Sequence, residues 1–297
     1  MSTKRIETKT SRTAELCCFC RAVSSLEKNP FYRSDDVVAL SLMPDVLRFL
    51  VRIPGAGRLF TRVFMAKGIY EYIIARTKYI DAAFRQALAD RFAQILIFGA
   101  GFDTRALRFQ EEARQTRIFE LDAPPTLEAK IGQYRKRRIP VPPNLVFVPI
   151  NFDKESIAGK LEQAGFRRGA KTLIVIEGVL EYLQPQSVNQ TFRTIREFAG
   201  SGSEIVFNYV YASVIRDETK YYGEEGALET LSKVGESWHF GIEKGEIGRF
   251  LTQYGFELRD HRNARELEEL YFKDSTGRIL ARVNGTHCIV TAVRIPS

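Results

Sequence analysis

The stretch that decides the fold is Gln94-Ile95-Leu96-Ile97-Phe98-Gly99-Ala100-Gly101-Phe102-Asp103-Thr104-Arg105. Its apolar run has the length of a strand, and two glycines close it. Glycine at a strand end lets the backbone turn sharply and lets a ligand lie against the main chain. A bare Gly-x-Gly is weak evidence alone, so its surroundings carry the reading. Four more apolar runs follow, at 117–121 (RIFEL), 145–150 (LVFVPI), 172–176 (TLIVI) and 204–210 (EIVFNYV). Between them stand helix starts such as Ala123-Pro124-Pro125, Asp153-Lys154-Glu155 and Gln184-Pro185-Gln186-Ser187. Strand and helix in alternation predict right-handed β-α-β units, hence an α/β fold around a mostly parallel sheet.

Upstream of Gln94 the texture is helical. Helices are expected over 13–28, 35–51 and 68–90, the last with Ile69, Tyr72, Ile73, Ile80, Ala83, Phe84 and Ala87 near one face. Downstream of Val210 the pattern loosens. Residues 211–241, rich in Glu, Gly and Tyr, read as an inserted helical cap, and 244–254 as a helix. Residues 256–261 and 287–294 read as closing strands, with Asn284-Gly285 as a tight-turn signal before the second. The expected organisation is an N-terminal helical segment (1–90), then a ligand-binding sheet domain (91–297) with its cap at about 211–243, all in one structural domain.

The 297 residues are 44% hydrophobic and 27% charged, ordinary for a globular protein and against wholesale disorder. Four cysteines, three of them crowded at Cys17, Cys18 and Cys20, do not make a disulfide framework, so a reducing, cytoplasmic setting is expected. Adjacent cysteines are also poor metal-ligand spacing, and buried thiols on a helix are the expectation there. No charge-free apolar run reaches membrane-spanning length. The stretch LRFLVRIPGAGRLFTRVF (47–64) is basic and apolar; we read it as a cap helix closing over the site in preference to a membrane contact. The net charge of +8 is spread over the chain, and only Arg135-Lys136-Arg137-Arg138 forms a dense run, without interleaved aromatics. That favours a basic enzyme over a nucleic-acid binder.

The glycine loop invites a nucleotide-like ligand. A dinucleotide site wants a third glycine, where this chain has Thr104, and Asp103 would stand where pyrophosphate approaches. A ligand without phosphate but with positive charge tolerates that carboxylate. S-adenosylmethionine, with an ammonium and a sulfonium, fits better than a nicotinamide cofactor. Asp122 ends the second strand 21 residues beyond Gly101, where an acidic residue accepts from ribose hydroxyls, a role compatible with capping the next helix. The third strand ends at Asn151-Phe152, which can edge and cover an adenine ring. The fourth ends at Glu177, facing the cleft centre.

Four motifs in order, ARTKYID (75–81), GAGFDTRALRF (99–109), ELDAP (120–124) and EGVLEYL (177–183), resemble the leucine carboxyl methyltransferase family, which includes bacterial polyketide O-methyltransferases. The resemblance implies a class I methyltransferase fold, Rossmann-like with an antiparallel closing strand. It implies S-adenosylmethionine as cofactor, with Arg76 on the methionine carboxylate, Gly99 and Gly101 under the donor, Asp122 on the ribose, Asn151 and Phe152 beside the adenine, and Glu177 at the methionine end. The family usually has Asp where Asn151 stands, and a turn shifted by two residues would put Asp153 there instead. Without the other motifs, Arg76 would read as a solvated side chain or a partner of Glu71 or Asp81.

The expected reaction is in-line O-methylation of a carboxyl or hydroxyl group of a small molecule. A carboxylate acceptor is already ionised and needs no base. A hydroxyl would profit from one; Tyr182 and His239 are the candidates, with Tyr211, Tyr221, Tyr222 and His261 behind them. Three histidines without ligand spacing argue against a metal. Trp238-His239-Phe240 would line an acceptor pocket or anchor the cap. The rivals are an RNA methyltransferase and a non-catalytic donor-binding protein. The Pro-Pro-aromatic loop of base N-methylation is absent after the fourth strand, which ends in Glu177-Gly178.

Overall fold

The computed structural model describes residues 10–53, 55–152, 154–218, 220–226 and 237–296. Among the described residues five helices precede the sheet: α1 (Arg12–Ser25), α2 (Ala39–Leu42), α3 (Asp45–Arg52), α4 (Ala56–Phe64) and α5 (Ile69–Ala89). The expected helix over 35–51 is broken, because Pro44 disfavours helical angles at the residue before it and Met43 is extended, with ψ 154°. Helix α5 starts after Gly68, which holds φ +78° beneath the backbone of Val283 and Asn284.

The sheet has seven strands in the order β3-β2-β1-β4-β5-β7-β6. They are β1 (Gln94–Phe98), β2 (Arg117–Asp122), β3 (Leu145–Pro149), β4 (Thr172–Ile176), β5 (Glu204–Val210), β6 (Phe256–Arg262) and β7 (His287–Arg294). The first five are parallel, and β7 lies antiparallel between β5 and β6. Intervening helices are α6 (Arg105–Arg108), α7 (Pro124–Arg137), α8 (Ile157–Gln163), α9 (Pro185–Phe198), α10 (Ala212–Ile215), α11 (Ile247–Thr252) and α12 (Ala264–Tyr271). Both α7 and α9 begin on proline, as expected. Helix α8 starts later than expected, because Ser156 and not the 153–155 stretch caps it, accepting from the Gly159 N–H at 3.2 Å.

Strand β1 is buried on both faces, which its unbroken apolar run requires. Ile95 and Ile97 face a core shared with α1, α2, α3 and α5, while Leu96 and Phe98 face a second core shared with α8, α9 and α11. The N-terminal helices thus cover one face of the sheet. In register, Phe98 stands beside both Leu121 and Ile176, so the turns after β1, β2 and β4 open side by side on one edge. That edge, at the β1/β4 reversal of strand order, is where open α/β sheets bind ligands.

Two expectations change here. Asn284-Gly285 is not a hairpin turn: such a turn needs positive φ, and neither residue has it. Instead Asn284 docks on the start of α5, its N–H on the Gly68 carbonyl at 3.0 Å and its Nδ2 on the Lys67 carbonyl at 3.1 Å. The second concerns 47–64. Helix α1 turns Ala14 and Arg21 to the glycine loop and Phe19 and Val23, the opposite face, to α4. The cap over the loop is therefore α1, with the α3–α4 pair outside it. The expected cap at 211–243 includes 219 and 227–236, which lie outside the described residues; around them α10 and an isolated bridge from Tyr211 to Ile242 are present. Among the described residues no helix is long and apolar enough to cross a membrane.

Candidate functional site

The loop after β1 is built for glycine. Gly99 and Gly101 have φ of +59° and +50°, and a Cβ on Gly99 would sit 2.3 Å from Val179 Cγ2. Asp122 closes this loop from β2: Oδ2 accepts from the Gly101 N–H at 2.5 Å and Oδ1 from the Ala123 N–H at 2.6 Å. Burial raises the Asp122 carboxyl pKa, opposed by those two N–H groups. The Ile150 N–H reaches the Asp122 carbonyl at 2.9 Å and so brings the third turn alongside. There Asn151 and Phe152 are half-buried, and the Phe152 ring lies 6.4 Å from that of Phe98. Asp153 lies outside the described residues.

Glu177, at the end of β4, is the centre of an ion-pair network. Its Oε1 takes Arg76 Nε at 2.9 Å and its Oε2 takes Arg105 Nη1 at 2.8 Å. Burial pushes this carboxyl up, but Arg105 and Arg76 outweigh it and hold it at about 2. Arg105 also binds Asp103 and, at 2.8 Å, Asp81. Asp81 in turn takes Arg108 at 2.6 Å. Arg21 of α1 pairs with Asp36 at 2.9 Å and donates to the Phe102 carbonyl at 2.6 Å. Four guanidiniums thus face four carboxylates, and the network is formally neutral.

This geometry corrects one sequence argument. Asp103 is not an open carboxylate: Arg105 carries it, through the backbone N–H at 2.7 Å and through the guanidinium. Diphosphate is disfavoured for another reason. The network is formally neutral and so carries no net positive charge for a multiply charged diphosphate, and α6, four residues long, offers little dipole to a phosphate. Arg76 pairs with Glu177, not with Glu71 or Asp81, and its Nη2 lies 3.4 Å from Cys17 Sγ. Cys18 and Cys20 are buried free thiols, and no metal-binding group of side chains occurs among the described residues.

S-adenosylmethionine fits these residues. The Arg76–Glu177 pair offers a cation and an anion side by side, as the zwitterionic end of an amino acid requires. Arg105 Nη2 is buried without a hydrogen-bond partner beside them, a donor that a bound carboxylate could satisfy. The glycines put no side chain of their own over the loop backbone, and the Asp122 oxygens retain lone pairs for a hydroxyl.

On the acceptor side, Tyr182 is half-buried in the turn Leu180–Tyr182, and His239 is exposed, its N–H on the Glu181 carbonyl at 2.7 Å. Tyr211 stacks on Tyr221 at 5.0 Å, Tyr222 lies under Arg282, and His261, on edge strand β6, bonds Tyr209 at 3.0 Å. The sequence reading weighed His287 only as a metal ligand and did not place it at the site. It opens β7 opposite Val210, and because β7 runs antiparallel its first residue reaches the ligand edge. The Tyr72 ring lies 4.3 Å and the Trp238 ring 5.2 Å from the His287 ring. Trp238 Nε1 is buried without a hydrogen-bond partner, and the buried Tyr72 Oη has no well-aligned one, only Arg76 as a polar neighbour. Burial holds His287 neutral, lowering its pKa from 6.5 to about 3, with Arg76 adding to the effect. Arg76 lies 5.3 Å from the Tyr72 ring and so joins this cluster to the ion-pair network.

Comparison with known proteins identifies the family. The leucine carboxyl methyltransferase family profile matches residues 14–196, more than half of the chain. A Bacillus subtilis protein provisionally named an S-adenosyl-L-methionine-dependent methyltransferase is 24% identical over 208 residues, covering 70% of this chain and 68% of its own. A Mycobacterium ulcerans protein of the same provisional name is 27% identical over 275 residues, covering 87% and 85%. Among solved structures, a Thermobifida fusca methyltransferase, also provisionally named, superposes with a TM-score of 0.62 over 98% of this chain and 97% of its own, at 16% identity. The chain is an S-adenosylmethionine-dependent methyltransferase of the leucine carboxyl methyltransferase family.

Proposed function

We propose that the chain methylates an oxygen of a small-molecule acceptor, a carboxylate or a hydroxyl. The observation that carries this reading is a pair of buried donors against His287: Trp238 Nε1, which has no partner, and Tyr72 Oη, whose polar neighbour Arg76 has no lone pair to accept its proton. A buried donor left unpaired costs about 1–3 kcal/mol, so a ligand that supplies an oxygen there recovers it. An acceptor nitrogen that must keep its own hydrogens satisfies two donors less well.

S-adenosylmethionine, when bound, supplies an electrophilic methyl on its sulfonium. Arg76 would take its carboxylate, Glu177 its ammonium, Asp122 the ribose, and Asn151 with Phe152 the adenine. Helix α1 keeps water from the loop, which strengthens every charge contact inside. A carboxylate acceptor arrives ionised, and the protein's contribution is then orientation by Tyr72 and Trp238. The low pKa of His287 makes it a poor proton acceptor at neutral pH, so a hydroxyl acceptor would lean on another base; Tyr182 and His239 stay the candidates. The test is incubation with methyl-labelled donor and a panel of carboxylic acids, phenols, amines and RNA, followed by mass spectrometry. Methyl esters or ethers are the expected products; label found only on nitrogen or on RNA overturns the proposal.

A further inference from the structure

Five large apolar side chains among the described residues are 62% exposed or more, and all five lie on α3 and α4: Val46, Phe49, Leu59, Val63 and Phe64. No other large apolar side chain among the described residues exceeds 58%. On α3, Val46 and Phe49 share one face, while Val51 is buried on the other. On α4, Leu59 and Val63 face solvent, while Gly57 and Thr61 face the protein, a Cβ on Gly57 meeting Val23 Cγ2 at 2.8 Å. Each helix is thus amphipathic in reverse, packed through small or few side chains and apolar outward. Apolar side chains turned outward on two adjacent helices mark an interaction site.

Charge selects the partner. Residues 45–64 hold four arginines (Arg48, Arg52, Arg58, Arg62) against one acid, Asp45, for a formal +3. Asp45 is itself taken by Lys136 at 2.7 Å and by Arg137, which draws the basic run at the end of α7 to the same side. Arg52, Arg62, Arg135 and Arg138 are exposed. An apolar face rimmed by guanidiniums matches the boundary of an anionic bilayer, where the rings enter the acyl region and the cations stay at the phosphates. A second copy of the chain fits less well, since a twofold contact would set these cations against themselves. The glycine loop does not need this face, because α1 already covers it.

We propose that the α3–α4 pair docks the enzyme on anionic phospholipid surfaces, lying in the interface without crossing it. The test is co-sedimentation of the full chain with phosphatidylcholine vesicles and with vesicles of phosphatidylcholine and phosphatidylglycerol. Pelleting with the anionic vesicles alone, reversed by salt, is expected. The double variants Phe49→Asp/Val63→Asp and Arg52→Glu/Arg62→Glu should each lower the bound fraction about tenfold. Unchanged calorimetric binding of S-adenosylmethionine shows that both are folded. The proposal is overturned if the wild type ignores anionic vesicles, if it binds both vesicle types equally and without salt dependence, or if both variants bind like wild type. It is equally overturned if light scattering shows a dimer that Phe49→Asp/Val63→Asp dissociates while vesicles are ignored.

Discussion

At the scale of single residues, the site separates groups held by many contacts from groups left with capacity. Arg76 is tied to Glu177 at one end of its fork and touches Cys17 at the other. Losing a charge-assisted contact to a bound carboxylate removes about 1.5–3 kcal/mol, so Arg76→Ala should weaken donor binding about tenfold or more by calorimetry. An unchanged affinity removes Arg76 from the donor site. Tyr72 is the contrary case. Its hydroxyl is buried, makes no well-aligned hydrogen bond and has only Arg76 as a polar neighbour, so Tyr72→Phe should change the melting temperature little. The same change should raise KM for the acceptor by up to about tenfold and leave donor affinity alone. A large loss of stability would mean that the hydroxyl has a structural role instead.

Elements were unevenly legible. Strands β1, β2, β4 and β5 stand out because apolar runs buried on both faces have no competing reading. The break at Pro44 was available from the residue itself, yet apolar spacing over 35–51 hid it. Helix α12 was missed although its start is local. Asn263 accepts from the Glu266 N–H at 3.1 Å and Glu266 returns to the Asn263 N–H at 2.8 Å, a reciprocal cap. Asn263→Ala should cost about 1 kcal/mol and lower the melting temperature by a few degrees, with donor binding unchanged, since the cap's two partners, Asn263 and Glu266, hold no residue of the site. A variant that loses donor affinity would link α12 to the site. Glycines at positive φ set the other element-level constraint. Gly99→Ala adds a Cβ against Val179 at a strained angle, and reduced donor binding is expected before any loss of secondary structure.

Over the whole molecule, burial of ionisable groups makes stability depend on pH. His287 takes a proton at 6.5 when unfolded and only at about 3 when folded. Its contribution is therefore complete above 6.5 and declines as pH falls from 6.5 towards 3. Glu177, depressed from 4.5 to about 2, adds a second decline in the window between those values. Burial raises Glu120, which works in the opposite sense, so the total curve mixes both signs. The comparison that isolates His287 is wild type against His287→Phe by denaturant titration across this range. The stability advantage of wild type over the variant should shrink as pH falls below 6.5, and a difference independent of pH excludes the neutral buried imidazole.

Much of the fold and part of the site could be read from residue order alone. Strand patterning, the glycine loop, Asp122 at the next strand end and Glu177 at the fourth are local features: each is a residue type placed at a strand terminus, and strand termini are visible in an apolar pattern. What tertiary structure alone decided is pairing. That Asp103 belongs to Arg105, that Glu177 joins Arg76 to Arg105 across 101 and 72 positions of sequence, and that His287 meets Tyr72 and Trp238 are outcomes of strand order and helix packing. A charge or a ring in a sequence carries its own chemistry but not its partner. Partners are chosen by which elements come together, and here an antiparallel β7 beside β5 and a helix α1 laid over the glycine loop made that choice.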